Sequence, residues 1–511
     1  MSTTTIPVAP DITAQMPDSV VPATGGEAYK HAETTRLLCA AAWLDRGFRE
    51  TVLKWFHEDS RHRATAPSFG VDMATVVHQC ERARSALNSR EVWLLIPAVL
   101  ALLSLVAAFV PGLVLVYLIA FAICFVYTSR ARSMATKNFT RAKFNPDALP
   151  DESPAACASL REAESGNCLV YSGFTPFVGS GENIGGWSFA LDLRKRADGS
   201  DEPLVGDLSQ TVVAIGGDPG DHISLADLYA RVDRDICDLH LDRVFIDDKL
   251  YINGRDIRDD RRFIDSPLSC PRNRVTSEVM KEAMLQHTEQ KLRHYRCIRV
   301  IDWNGEQVLS IFLRFRKLSH NLFVEASYFL LTPVGDRFRK VDSLNPEMTF
   351  RRLLETTLLA AFAAPFLTVL APFTLLQRGM EAFQQSAKQR KEEKQILDDP
   401  SFDYGAALSC RQWASSHQYQ RYFQKLDKEM YLKVLEKNIL DSILTFLESN
   451  NVDVSELKQR QTMILNNGVI VSGGSMTTEN LAVGESAKID NLRQKVTNIA
   501  SRTAMAGKQA S

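Results

Sequence analysis

A surplus of basic charge is missing from this chain: 60 Lys and Arg stand against 61 Asp and Glu, a formal net charge of −1. Recognition of a DNA or RNA backbone rests on such a surplus, so no nucleic-acid partner is expected. Paired cysteines are missing too. The nine cysteines are scattered singly, at positions 39, 80, 124, 157, 168, 237, 270, 297 and 410, with no CxxC pair. That excludes a zinc ribbon and a disulfide-stapled secreted domain, and the thiols read as reduced ones facing a cytosol. The opening stretch, MSTTTIPVAPDITAQMPDSVVPATGGEAYK, has no basic start, apolar run or small-residue cleavage site, so it is no secretory signal. Its Thr, Pro, Ala and Gly bias reads as a disordered leader over residues 1–32. No GKS or GKT phosphate loop, nucleophile elbow or zinc-deaminase signature occurs. His57 and His62 of HEDSRH stand five apart, where two ligands on one helix face need four. No catalytic residue, metal or cofactor is therefore assigned.

What the sequence has in abundance is apolar runs. From Val92 to Ser129 no charged residue occurs. As one helix these roughly 38 residues would reach about 57 Å, nearly twice a hydrocarbon core of roughly 30 Å. Pro111 and Gly112 stand at the midpoint, so residues 91–129 read as a transmembrane helical hairpin with a Pro-Gly reversal. Arg82, Arg84 and Arg90 precede it, and Arg130, Arg132, Lys137, Arg141 and Lys143 follow it, which puts both ends in the cytoplasm. A second apolar block, residues 353–377, holds Pro365 and Pro372 and is long enough for a single span. Basic clusters flank it on both sides, so one crossing would export one of them; a re-entrant pair of half-helices bent at Pro365 keeps both inside.

Residues 33–90 carry apolar side chains at three- and four-residue spacing, the mark of helices. The region 378–464 does the same, and Leu435, Ile439, Ile443 and Leu447 form a stripe expected to face a core. Between Cys168 and Val334 the pattern becomes alternating and β-branched. CLVYSG, WSFALDL, RVFID, KLYIN, YRCIRVIDW, QVLSIFLRF and NLFVEASYFLL read as strands, with Asp247-Asp248 and Asn304-Gly305 as hairpin turns. Helices are expected over 223–240 and 275–290. The whole reads as a membrane-anchored α+β protein whose cytosolic domain, residues 130–352, is an antiparallel sheet with helices. A helical C-terminal region follows the second membrane segment, and residues 465–511 read as a Gly-rich β-hairpin and flexible tail.

Two segments are candidates for ligand binding. FVGSGENIGGWSF, with Gly179 and Gly181, has the look of a phosphate-cradling loop, although Ile184 stands where the dinucleotide fingerprint needs glycine and a strand follows in place of a helix. NGRDIRDDRRF gathers Arg258, Arg261 and Arg262 in a run that reads either as a solvated ion-pair surface or as a site for an anionic ligand. In the tail, Val469, Ile470, Val471, Leu481 and Val483 lie in two short strands that bury too little to stand alone. They are expected to dock on a protein partner or on a second copy of the chain.

The blocks PSFGVD, YSGFTPFVGSG with GGWSFALDL, NGRDIRDDRRF, FLRF with NLFVEASYFLL, and RQTMILNNGVIVSGG resemble those of an uncharacterised multi-pass membrane-protein family common in actinobacteria. The similarity runs in the same order from about residue 33 to 487. It implies a bacterial plasma-membrane protein, with the lipid bilayer as partner and soluble regions mainly cytoplasmic, and it supplies no catalytic residue. Lacking a catalytic constellation, the chain reads as a non-enzymatic sensor, scaffold or effector. The alternative is a membrane-tethered enzyme acting on a phosphorylated or anionic ligand near the bilayer. A pore is disfavoured, because the hairpin carries no charge to line a polar path.

Overall fold

The structure, a computed structural model, describes residues 29–57, 61–107, 110–149, 154–194, 223–241, 243–285, 290–344 and 349–465. The leader through residue 28 lies outside them, and so does the tail from residue 466, with Val469, Ile470, Val471, Leu481 and Val483. The helices in chain order are α1 (Glu33–Leu44), α2 (Arg46–His57), α3 (Met73–Val106), α4 (Val110–Asn138), α5 (Pro154–Ser165), α6 (Leu225–Asp238), α7 (Ser277–Leu285), α8 (Phe350–Asp398), α9 (Cys410–Ala414), α10 (Tyr422–Ser449) and α11 (Ser455–Leu465). The strands are β1 (Cys168–Tyr171), β2 (Glu182–Asp192), β3 (Val244–Asn253), β4 (Leu292–Asp302), β5 (Gln307–Leu318) and β6 (Asn321–Leu331). The chain forms two compact units. One comprises Met1–Asn183, Cys237–Arg314 and Tyr328–Glu429; the other comprises Ile184–Ile236, Phe315–Ser327 and Met430–Ser511.

The fold is α+β, with a six-stranded sheet in the order β1-β3-β4-β5-β6-β2. It is mixed, not antiparallel throughout as the strand pattern suggests. β3 and β5 flank β4 antiparallel, whereas β1 joins β3 in parallel, with Cys168 opposite Leu250. A parallel neighbour needs a long connection, and the chain supplies one: β2 and α6 come between β1 and β3. A second correction concerns Asp247-Asp248. These residues form no turn; they stand inside one ten-residue strand, VFIDDKLYIN, that pairs with β4 from Val244↔Val300 to Ile252↔Leu292. Aspartate is a poor strand former, but cations on β4 face both carboxylates, and cross-strand pairing overrides propensity. Asn304-Gly305 does turn the chain between β4 and β5, at φ 55° and 85°, the left-handed values that Asn and Gly tolerate.

In the first unit, Phe177 stacks on Phe312 at 4.1 Å and meets Tyr251 and Tyr295 edge-on at 5.1 Å, which fills the core beneath β3, β4 and β5 with aromatic rings. A second core joins α1, α2 and the start of α3 through Leu37, Leu38, Phe48, Val52 and Cys80. Asp72 caps α3, accepting the Thr75 hydroxyl at 2.8 Å. In the second unit, the Tyr229 ring of α6 packs on Phe315, and its hydroxyl accepts the Phe315 amide at 2.9 Å. The α10 stripe of Leu435, Ile439, Ile443 and Leu447 is buried, as its four-residue spacing predicts.

Three helices, α3, α4 and α8, are long and apolar enough to cross a membrane. They also expose what a water-soluble surface hides: Val106 is 80% accessible, Phe362 75% and Phe366 70%. Against one another they pack through small side chains, with Ala120 and Cys124 of α4 meeting Ala360, Ala364 and Ala371 of α8 around Leu94. The prolines behave differently from expectation. α4 opens at Val110, so Pro111 and Gly112 belong to its first turn, where a missing amide donor costs nothing, and stand in helix rather than in a turn. Pro365 and Pro372 lie inside one 49-residue helix and do not split it into half-helices. Pro365 leaves the Ala361 carbonyl without its helical donor, and the Tyr117 hydroxyl of α4 donates to that oxygen at 3.3 Å.

Candidate functional site

Of the residues singled out by sequence, Gly179 and Gly181 sit in a loop pressed against protein backbone. Both are left-handed, at φ 90° and 93°. A Cβ on Gly179 would lie 2.3 Å from the Pro67 carbonyl oxygen, and one on Gly181 would lie 2.0 Å from that of Leu330. The Gly179 amide donates to Gln412 Oε1 at 2.9 Å, and Gln412 Nε2 donates to the Gly181 carbonyl at 3.3 Å. This side chain from α9 occupies the donor that a phosphate would use.

The arginine run does not converge. Arg258 donates to the carbonyls of Ile396 and Asp399 at 2.6 and 2.5 Å and to that of Leu397 at 3.1 Å, capping the C-terminal end of α8. Arg262 pairs with Asp260 at 3.0 Å and lies 5.3 Å over the Phe263 ring, while Arg261 is exposed. Charge-assisted bonds to three carbonyls at the end of α8 make Arg258→Ala expensive: it should lower stability by about 1.5–3 kcal/mol. Arg261→Ala should stay within about 0.5 kcal/mol. Denaturant unfolding of the two variants in detergent checks the contrast.

The sheet carries two buried charge clusters, one at each aspartate of β3. Asp247 accepts from Arg299 at 2.7 and 2.6 Å and pairs with Lys249 at 3.0 Å, and Lys249 also donates to the Gly166 carbonyl. The Arg299 guanidinium lies 4.0 Å over the Phe69 ring. Asp248 accepts from His294 Nε2 at 2.6 Å and from Arg296 at 2.9 Å. Burial works to raise both carboxyls, but Arg299 and Lys249 hold Asp247, and His294 and Arg296 hold Asp248, below the usual carboxylate range. Burial pushes the His294 imidazole below its ordinary value against the pull of Asp248. An aspartate-histidine pair has the composition of an acid-base dyad, yet the His294 side chain is only 1% accessible and reaches no substrate. Burial raises the Cys297 thiol to about 12, too high for a nucleophile. Among the described residues, no three His, Cys, Asp or Glu side chains are grouped to hold a metal ion.

An accessible site lies elsewhere, in a cavity of about 320 Å³ where α2 meets α3, α4 and α8 at the basic borders of their apolar stretches. Arg46 and Arg49 of α2, Arg90 of α3, Arg130 of α4 and Arg378 of α8 line it, against the one carboxylate of Glu91. Arg378 takes that carboxylate at 3.1 Å and donates to Asn88 Oδ1 at 2.6 Å. Arg49 is 3% accessible; one of its terminal nitrogens donates to the Ala42 carbonyl at 2.8 Å, and its Nε has no partner among the described residues. Burial pushes the Arg49 guanidinium below its ordinary value against the pull of Glu50 nearby, with Arg46 and Arg90 adding to the downward push. In the sequence Arg90, Arg130 and Arg378 stand only as basic flanks of apolar runs. Their convergence depends on three helices packing side by side, and Arg46 and Arg49 join them from a separate helix, so no local spacing announces the site.

Comparison with curated proteins and with solved structures returns no match to this chain. The AbeC-like domain matches residues 186–477, from β2 through α8 and the helices beyond it. Because the match covers more than half of the 511 residues, the chain belongs to the AbeC-like domain family.

Proposed function

We propose that this AbeC-like protein is an integral protein of a bacterial plasma membrane whose folded part works as a binding module, a sensor, scaffold or effector, and not as an enzyme. One observation carries the reading. The charges built into the sheet are sealed and neutralised by one another, while five guanidiniums that share the one carboxylate of Glu91 line a cavity whose described residues include neither a nucleophile nor an acid-base pair. That pattern suits capture of an anionic group better than its conversion. The placement of α8 fits a protein that keeps its basic flanks on one side. Arg132, after the apolar run of α4, lies 3.5 Å from Glu355 at the start of α8, and Arg378 beyond the apolar stretch reaches Asn88 and Glu91 ahead of the α3 run. Both ends of the α8 apolar stretch are thus tied to the same end of the hairpin, which supports an oblique helix over one that exports a basic cluster.

Thiol labelling tests the topology. Ser85→Cys and Lys137→Cys lie at exposed positions on the two flanks, and the native exposed Cys270 provides an internal reference. All three should react with an impermeant maleimide only after the cells are opened. Reaction of either introduced thiol in intact cells would overturn the cytoplasmic placement.

A further inference from the structure

We propose that the arginine cavity seats the phosphate of an anionic lipid headgroup drawn from the leaflet in which the apolar stretches of α3, α4 and α8 end. The inference rests on reading those helices as membrane-embedded, and adds to that reading the ligand class of one site. Its first support is unbalanced charge. Five guanidiniums line the cavity, and the single carboxylate in its lining, Glu91, is shared by Arg378 at 3.1 Å and Arg90 at 3.7 Å. Arg49 is the decisive one, because a buried guanidinium that donates to the Ala42 carbonyl, and whose Nε has no partner among the described residues, is costly unless an anion completes it. Phosphate oxygens match the planar fork of arginine better than any other common anion does, apart from carboxylate.

Position is the second support, and it separates a lipid from a soluble phosphate. Arg90 precedes the uncharged run that opens at Val92, Arg130 follows the run that closes at Ser129, and Arg378 follows the block that closes at Leu376. Residues bounding apolar stretches stand at headgroup level. The cavity wall is also continuous with the apolar cluster between the helices: Leu367 lines the cavity and packs against that cluster, and Tyr127 faces it from α4. A headgroup phosphate can therefore sit among the arginines while its glycerol and acyl chains stay against apolar surface. Basic pockets of this kind between membrane helices recognise anionic headgroups.

The experiment uses the full-length chain in a neutral detergent, with phosphatidylglycerol or phosphatidylcholine added, and reads retained lipid per protein together with the melting temperature. Phosphatidylglycerol should be retained about tenfold more strongly than phosphatidylcholine and should raise the melting temperature. The Arg90→Gln/Arg130→Gln double variant, which leaves buried Arg49 in place, should lose that preference while melting like wild type in detergent alone. Arg49→Gln should lose it too, and Arg49→Lys should keep part of it. Equal retention of the two lipids by wild type, or an undiminished preference in the double variant, defeats the proposal. Competition by millimolar inorganic phosphate or glycerol 3-phosphate without any lipid preference would assign the cavity to a soluble anion and defeat the lipid source. Carbonate washing of membranes keeps the two readings apart. Protein released by carbonate refutes the membrane reading, while protein that resists carbonate but shows no phosphatidylglycerol preference refutes the headgroup site alone.

Discussion

Arg299→Ala should destabilise the protein by about 3–5 kcal/mol, the range expected when one partner of a buried ion pair is removed and the other is stranded. Arg299 is 1% accessible, donates to both oxygens of Asp247 and covers the Phe69 ring. Its loss leaves Lys249 as the remaining cation beside a carboxylate on a central strand. The Asp247→Asn/Arg299→Met double variant should recover much of the loss, because it removes both charges together. Acid should reveal the same cluster. Asp247 has a folded pKa below its unfolded value, so its stabilisation is present above about pH 4 and is lost as pH falls through the lower, folded value. His294, neutralised by burial, acts earlier. Below about pH 6.5 the unfolded chain takes up a proton that the folded chain resists, so stability begins to fall there. Melting curves from pH 8 to 3 should show both declines in wild type, and Arg299→Ala should flatten the more acidic one. A substitution that costs under about 1 kcal/mol would mean that the cluster is open to water and that the sealed-sheet picture is wrong.

What the residues disclosed in advance, and what they concealed, divides along the range of the interactions. Apolar periodicity located α6, the α10 stripe and all six strands, because each depends on which face of a single element is buried. The Asp247-Asp248 dipeptide misled, since its local chemistry favours a turn, and Arg299, Arg296 and His294, which make it a strand, lie some fifty residues away. Pro365 misled in the same way. A proline inside a helix signals a break unless some other donor satisfies the freed carbonyl, and that donor, Tyr117, belongs to another helix. Arg258 looked like a free cation in an exposed run; the α8 carbonyls it caps are more than 130 residues further on. The candidate site was the least legible feature for the same reason, being assembled from five arginines on four helices.

Gly181→Ala should be among the most damaging single substitutions in the chain, with an expected loss above about 3 kcal/mol or no recoverable folded protein. Two penalties add. The left-handed backbone at φ 93° disfavours any Cβ by roughly 1–2 kcal/mol, and the added methyl would lie 2.0 Å from the Leu330 oxygen and 2.7 Å from the Leu331 amide nitrogen. Those atoms belong to β6 and its end, so the clash cannot be relieved by turning a side chain; a strand must move. Gly173 separates the two penalties. Its φ of 74° is also left-handed, but a Cβ there meets nothing within 4 Å, so Gly173→Ala should show the conformational cost alone, about 1 kcal/mol. The gap between the two melting temperatures then measures how closely the loop is pressed on the sheet. It also decides what the glycines at 179 and 181 are for. A loop shaped to cradle phosphate would tolerate Gly181→Ala in folding and fail in anion binding, whereas a loop shaped for backbone contact fails in folding first, and the 2.0 Å approach commits us to the second outcome.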